Sequence, residues 1–376
     1  MVLRVVLIVL LGFQIVINLT RPIITLYAND LGATTFEIGI LTAMYAFVPL
    51  IIAIQAGKIT DRIGNRLPVI FGLVGLMLGM LIPYLFPAMW ALYVSQLIVG
   101  AASIFIAVSL QNVMGNASTD DLRVRNFSMF GLTVAFGALI GPLAGGYIAE
   151  HFSYSAAFIV SVGICLLSLF FAFLIPITWK KQKKKNIDIQ SSIQLIKNPL
   201  VKKALLSSAL VLYSRDIFVA YFPLYGKEEG LSTSTIGIIL SLQGLSMMVV
   251  RFILPWLIKK TNKELVLNSS IIIAGMSFLF FPFASHLFFF CLLSCLMGLG
   301  LGCGQPISLT TTYNASPKSR TGEVLGIRLM VNRFSQLIAP LFFGLIGAWN
   351  GIMSVFLVSG LFLLGGSFFV TSKKKE

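Results

Sequence analysis

Five arginines and one aspartate stand in stretches of the chain that are otherwise apolar: Arg21, Arg215, Arg251, Arg328, Arg333 and Asp216. Guanidinium groups bind carboxylates and phosphates with paired hydrogen bonds, and a carboxylate in such a setting can carry a proton. An ionised side chain in hydrocarbon costs at least about 2.5 to 3.5 kcal/mol, so each of the six needs a polar lumen, a partner or a ligand. Gln14, Asn18, Arg21 and Thr25 are spaced four, three and four apart, which on a helix makes one polar face. Turned to lipid, that face would be unfavourable, so a central cavity is expected beside it. Arg215 and Asp216 lie about 18 Å along a helix counted from Lys203, and as neighbours they diverge by about 100°. One of them reaches the cavity while the other pairs elsewhere, and the sequence permits either arrangement. Asn332 and Arg333 complete the candidate cavity set, with Gln336 one turn further on, whereas Arg251 and Arg328 are near enough to a membrane face to snorkel. Asp216 is the carboxylate well inside the apolar stretches and the candidate for proton coupling; ordinary solvation accounts for Asp30 and Glu37 near helix ends. The surplus of fixed positive charge favours an anionic solute over a lipophilic cation. The same arginines also suit structural ion pairs with Asp216 or with helix-end carbonyls.

The elements that position these groups are membrane-spanning helices. The chain has 376 residues, 57% hydrophobic and 11% charged, with a mean hydropathy of +0.93, against about 25% charge in soluble domains. Apolar segments of roughly 20 residues, each long enough to cross a bilayer as a helix, recur at 4–28, 36–57, 68–87, 89–112, 127–149, 154–177, 204–226, 234–257, 265–284, 286–312, 323–347 and 351–371. A long lysine-rich segment, Trp179 to Lys203, divides the twelve into six and six. The halves are repeats: Ile38-Gly39-Ile40 answers Ile236-Gly237-Ile238, Asn116-Ala117-Ser118 answers Asn314-Ala315-Ser316, and Pro142 answers Pro340, each at an offset of 198. Six is even, so both repeats start on the same side and are parallel. The expected organisation is a six-helix bundle over 1–178, a basic linker over 179–203 and a second bundle over 204–376, all α-helical. Twenty-two of the 28 Lys and Arg fall in loops on the side of the termini and Lys227 alone on the other, which by the positive-inside rule puts both termini in the cytoplasm of a multi-pass cell membrane protein.

Between the second and third spans lies a dense polar decapeptide, Gly57-Lys58-Ile59-Thr60-Asp61-Arg62-Ile63-Gly64-Asn65-Arg66. With the twelve spans and the basic central loop, this stretch resembles the major facilitator superfamily of secondary transporters, over the entire chain. Gly57, Asp61, Arg62, Gly64 and Arg66 stand at the positions of the family's loop motif. The run Gly137 to Gly146 in the fifth span, with Gly137, Gly141, Pro142, Gly145 and Gly146, looks like the glycine-proline motif of the antiporters in that superfamily. Glycines four residues apart let helices approach closely and a proline kinks the helix, which suits a rocking interface; plain small-residue packing is the competing account. The resemblance is nearest to the bacterial 12-helix drug and metabolite antiporters. It implies a secondary transporter of efflux-antiporter type, with protons as coupling ion and the decapeptide as a gate latch, Asp61 docking near Thr321 to Glu323 and Arg62 and Arg66 reaching across the halves. One family feature is missing: the arginine that often precedes a glycine in the fourth span is here Gln96, four residues before Gly100. Arg21 and Arg215 look like the paired arginines of organic-anion and organophosphate exchangers, although the repeat offset falls one turn away from a matched pair.

Other classes find less support. No phosphate-binding G-x-x-x-x-G-K-[ST] loop occurs, the four cysteines and two histidines form no metal-ligand pattern, and nucleic acid is not an expected partner of charges distributed by topology. The partners expected are a small, anionic solute, protons and membrane lipid, with no cofactor, no metal and a functional monomer. A transporter-like sensor or a membrane enzyme is the reading from another class, and the acids are too dispersed for the latter.

Overall fold

The computed structural model describes residues 2–116, 120–176, 199–315 and 321–371. Among them the chain folds into twelve α-helices: α1 (Val2–Asp30), α2 (Thr35–Ile63), α3 (Arg66–Leu85), α4 (Met89–Asn116), α5 (Asp120–His151), α6 (Tyr154–Ala172), α7 (Pro199–Glu228), α8 (Thr233–Lys260), α9 (Lys263–Phe280), α10 (Leu287–Ala315), α11 (Thr321–Asn350) and α12 (Ile352–Thr371). Eleven contain stretches long and apolar enough to cross a membrane, and α12 is apolar over Ile352–Phe368. Large side chains such as Phe71, Phe170, Phe252 and Trp349 are exposed around the outside, an exterior suited to lipid and not to water. The lysine run of the linker and the repeat landmarks Ala117, Ser118 and Ser316 lie outside the described residues, as do the side chains of Asp61 and of Thr321 to Glu323.

Local chemistry sets the helix starts. Thr34 and Glu37 form a capping box at the head of α2, and Ser232, 198 residues on, caps α8 by accepting from the Thr235 amide. α2 begins at Thr35 and α8 at Thr233, α6 at Tyr154 and α12 at Ile352, so the sequence offset reappears in the helix register. At the end away from the termini, Phe218, Phe222 and Tyr225 of α7 pack with Phe278, Phe281, Phe290 and Phe356. That aromatic cluster ties α7, α9, α10 and α12 into one unit.

The two repeats meet most closely in the half of the molecule away from the termini. An added Cβ at Gly39 of α2 would lie 2.5 Å from the Pro340 carbonyl oxygen of α11, and one at Gly237 of α8 would overlap the Pro142 carbonyl of α5. These contacts are mates under the repeat: Gly39 corresponds to Gly237, and Pro340 to Pro142. The Gly146 and Gly344 positions follow the same rule, meeting the carbonyl oxygens of Thr233 and Thr35 at 2.7 and 3.2 Å. Main-chain approach of this kind leaves room for no side chain.

The decapeptide is built differently from a loop. Residues 57 to 63 continue α2 for almost two more turns, and the corner is made by Gly64 and Asn65 alone. Gly64 has φ +83°, a conformation that favours glycine. Likewise Pro199 to Lys203, expected in the linker, already belong to α7.

Candidate functional site

At mid-height the polar face of α1 meets α7. Arg21 Nη1 donates to Asp216 Oδ1 at 2.8 Å, an ion pair joining the repeats, and the carboxylate is 3% exposed. The second oxygen of Asp216 accepts from Gln336 Nε2 at 2.5 Å. Arg333 in turn donates to Gln336 Oε1 at 3.0 Å, so α11 supports the acid through an amide relay. The Arg21 guanidinium also lies over the Tyr45 ring, 4.6 Å from its centroid, a contact that favours cations.

One level closer to the termini, Arg215 Nη2 donates to Asn18 Oδ1 at 3.2 Å, and Asn18 Nδ2 donates to the Gln14 carbonyl at 2.7 Å. Both neighbours therefore end on α1, Arg215 on Asn18 and Asp216 on Arg21. The divergence of adjacent residues is offset by the length of the arginine, which reaches Asn18 while the shorter Asp216 meets Arg21. The α5 glycines press on the same face from behind, Gly137 against Gln14, Gly141 against Asn18 and Gly145 against the Leu19 carbonyl. α1 and α5 thus hold the polar stripe by backbone contact.

A cavity of about 20 Å³ lies beyond the ion pair, bounded by Arg21, Thr25, Thr42, Tyr45, Gln96 and Asp216 among others, the space of a single water. Gln96 is 5% exposed and makes no hydrogen bond among the described residues, so its amide faces this space without a protein partner. Thr42, Tyr45 and Gln96 were not among the expected cavity residues. Gln336 stood out in the sequence as a polar residue of the eleventh span, but nothing in the spacing marked it as a ligand of Asp216. Asn332 sits apart from the ion pair and accepts from Ser208 at 2.8 Å.

Arg328 does not snorkel. It is 7% exposed, and its guanidinium donates to Gln305 Oε1 at 2.6 Å and to Ser308 Oγ at 3.3 Å. α10 turns two polar groups toward it, and those bonds outweigh the pull of the membrane face. Asp30 and Glu37 also do more than meet solvent. Asp30 forms an ion pair with Lys227 across the repeats, and Glu37 completes its capping box. Beside them, Glu150 of α5 accepts from the Ser234 amide at 2.6 Å, at the amino end of α8, where a carboxylate is favoured.

Arg66 stacks 5.7 Å from the Phe173 ring of its own repeat and Arg62 is exposed, so neither forms the expected cross-half ion pair among the described residues. The cross-repeat hydrogen bonds of the described residues run from mid-height to the end away from the termini. That side is closed. No group of three metal-ligating side chains occurs among the described residues.

The chain matches the Major Facilitator Superfamily over residues 6–287 and 262–376. It is 22% identical to the "Uncharacterized MFS-type transporter MJ1560" of Methanocaldococcus jannaschii, over 92% of this chain and 91% of that one. Shorter matches are 31% identity to "Tetracycline resistance protein, class B" of Escherichia coli, over 40% of this chain and 36% of the relative, and 28% to "Multidrug resistance protein MdtG" of Salmonella paratyphi B, over 47% and 43%. The chain spans less than half the length of those two relatives in the matched region. Among solved structures, the nucleoside transporter NupG superposes with a TM-score of 0.82 at 15% identity, covering 98% of both chains. A POT family transporter in complex with 5-aminolevulinic acid gives 0.81 at 14%, over 97% of this chain and 94% of that one. These likenesses share the fold of two parallel six-helix repeats, and with the match along its length they establish that the chain belongs to the Major Facilitator Superfamily, a family of membrane transporters and not of enzymes.

Proposed function

We propose that this transporter moves a small solute by alternating access and works as an efflux-type antiporter coupled to protons through Asp216. The observation that carries this reading is the buried Arg21–Asp216 ion pair, which joins the two repeats at mid-height. A carboxylate held by Arg21 ties α1 to α7. In this reading an arriving solute displaces Asp216 from Arg21 and lets the repeats part on the side now closed, and once it has left, a proton taken up by Asp216 from that side accompanies the return. Solute and proton thereby compete for one group, which is what antiport needs. Relatives named for resistance to tetracycline and to multiple drugs support the efflux direction. The exchanger reading built on Arg21 and Arg215 as a matched pair is the weaker one, because Arg21 is committed to Asp216.

In this reading the bundles 1–178 and 204–376 rock as bodies joined by the linker, a monomer suffices, and the termini lie in the cytoplasm of the cell membrane, so the closed side is the outer one. Pro142 and Gly146 of the helix-five motif lie on the sliding surface between the repeats, Gly137, Gly141 and Gly145 hold α1 within the first, and Asp61, Arg62 and Arg66 latch the cytoplasmic side in the opposite state. Proteoliposomes with an imposed pH gradient test the coupling, using tetracycline, ethidium and phenyl phosphate as solutes. Asp216→Asn is expected to abolish gradient-driven transport while leaving solute binding within about threefold of wild type, a change of under 1 kcal/mol. Gradient-driven transport at the wild-type rate in Asp216→Asn sinks the proposal.

A further inference from the structure

The cavity beside the ion pair is lined by more polar groups than protein bonds satisfy. Gln96 and Tyr45 are 5% and 8% exposed and both line it together with Asp216, yet neither the amide nor the hydroxyl makes a hydrogen bond among the described residues. Gly100, one turn on from Gln96, fixes their meeting: an added Cβ there would overlap the Tyr45 carbonyl, so α4 and α2 are in backbone contact at this level. Thr25 and Thr42 donate to the carbonyls of Arg21 and Ile38 and keep lone pairs for a donor. Asp216 likewise has accepting positions beyond those that Arg21 and Gln336 occupy. Buried polar groups without partners are unfavourable, and a cavity of about 20 Å³ among several of them has the size and the chemistry to hold one water.

Position says which side this cavity serves. Thr25 follows Arg21 toward the end of α1, Ala220 follows Asp216 toward the end of α7, and Thr42 precedes Tyr45 near the head of α2. The cavity therefore lies between Asp216 and the end away from the termini. The next layer closes it. Tyr221 donates to the Pro340 carbonyl at 2.7 Å, and Gly39 presses on that carbonyl and on the Tyr221 hydroxyl. Parting α2 from α11 at this layer joins the cavity to that side.

We propose that the cavity is a water site and that its water is the last carrier of the proton to Asp216, with Gln96 and Tyr45 as the positioning residues. This rests on antiport through Asp216 and adds the route. Once the Tyr221 layer is open and the solute has left, a hydronium ion from that side gives a proton to the water. One O–H bond of the water breaks as an O–H bond forms on a carboxylate oxygen of Asp216, so the water is restored and the acid becomes neutral. Around the acid stand Arg21 of α1, Arg215 of α7 and, through Gln336, Arg333 of α11. The wall from α2 and α4 is neutral, and a proton meets least repulsion along it.

Two variants remove partners of the water and keep the packing: Gln96→Leu retains the bulk, and Tyr45→Phe retains the ring under Arg21. Proteoliposomes with a trapped pH dye are used with whichever of tetracycline, ethidium and phenyl phosphate the wild type carries. Each variant is expected to slow proton-coupled transport at least about tenfold more than it slows counterflow of the same solute without a pH gradient, with Gln96→Asn between Gln96→Leu and wild type. A density map of the full chain that resolves waters is expected to hold one peak within hydrogen-bonding distance of Gln96 and Asp216, and none there in Gln96→Leu. Equal losses in coupled transport and counterflow, coupled transport at the wild-type rate in either variant, or no such peak in the wild-type protein overturns the relay alone. Wild-type transport that moves no protons overturns antiport through Asp216 and the relay with it, so the two failures are distinguishable.

Discussion

The acid at the centre of the molecule is held by more than one charge. Asp216 accepts from Arg21 on one oxygen and from Gln336 on the other, which is the saturation a buried carboxylate requires. Removing one partner leaves the other charge stranded, so Arg21→Gln is expected to destabilise the folded protein by about 3 to 5 kcal/mol. Arg21→Gln with Asp216→Asn is expected to cost less than the two single changes together, with a coupling above about 1 kcal/mol. Thermal unfolding of the four proteins in one detergent measures this. Additive effects would show that the pair contributes no interaction. Much of this residue-level picture was legible: a lone acid among five arginines had to be paired, and the four-three-four spacing put Arg21 on the face that meets it. The sequence does not encode which rotamer an arginine adopts or what a neighbouring helix offers it. For that reason the Arg215–Asp216 step stayed open in the sequence, and Arg328 was expected at the membrane face when Gln305 and Ser308 were waiting inside. Tyr45 left no signal, since one aromatic in an apolar span looks like packing, and Gln96 stood out only as the residue in place of the family's arginine and not as part of the cavity.

At the scale of elements, the repeat landmarks turn out to be one another's partners. Gly39 rests on Pro340, and Gly237 on Pro142, so the very residues that reveal the duplication form the contacts between its halves. Helix identity and number were readable because a 20-residue apolar run has few other fates. The decapeptide was not, because its polar residues disguised the last turns of α2 as a loop. Glycines within a repeat and between repeats have different consequences. Gly141 is wedged against Asn18 and Leu19 inside the first repeat, so Gly141→Val is expected to overpack α1 against α5 and lower stability by about 1 to 3 kcal/mol. Gly237→Leu pushes α8 off the Pro142 carbonyl, a contact of the closed end away from the termini. It is expected to leave the fold intact and shift the population about tenfold toward the state open on that side. Nitroxide labels at Phe152→Cys and Glu229→Cys, one on each repeat, read this as a longer distance in a background without the native cysteines. An unchanged distance distribution in Gly237→Leu would show that the contact does not hold that side shut.

For the whole molecule, a carrier must not be open at both ends, so two sets of contacts have to alternate. One set is formed here: the glycine-proline contacts, Asp30 with Lys227, Glu150 with the Ser234 amide, and Arg21 with Asp216. The other belongs to the end that carries the termini, where Arg62 is exposed and Arg66 is engaged within its own repeat. If the decapeptide is the latch of that end, its acid matters only in the state opposite to this one. Asp61→Asn is then expected to destabilise the opposite state by about 1 to 2 kcal/mol, the worth of a charge-assisted bond at a helix start. Solute binding from the side of the termini should persist or tighten slightly, because the state that accepts it is favoured, while the transport rate falls roughly five- to thirtyfold. The label pair at Phe152 and Glu229 should at the same time report less of the longer distance. A wild-type transport rate in Asp61→Asn, or a shift toward the longer distance, would mean that the decapeptide does not brace the end where the termini lie.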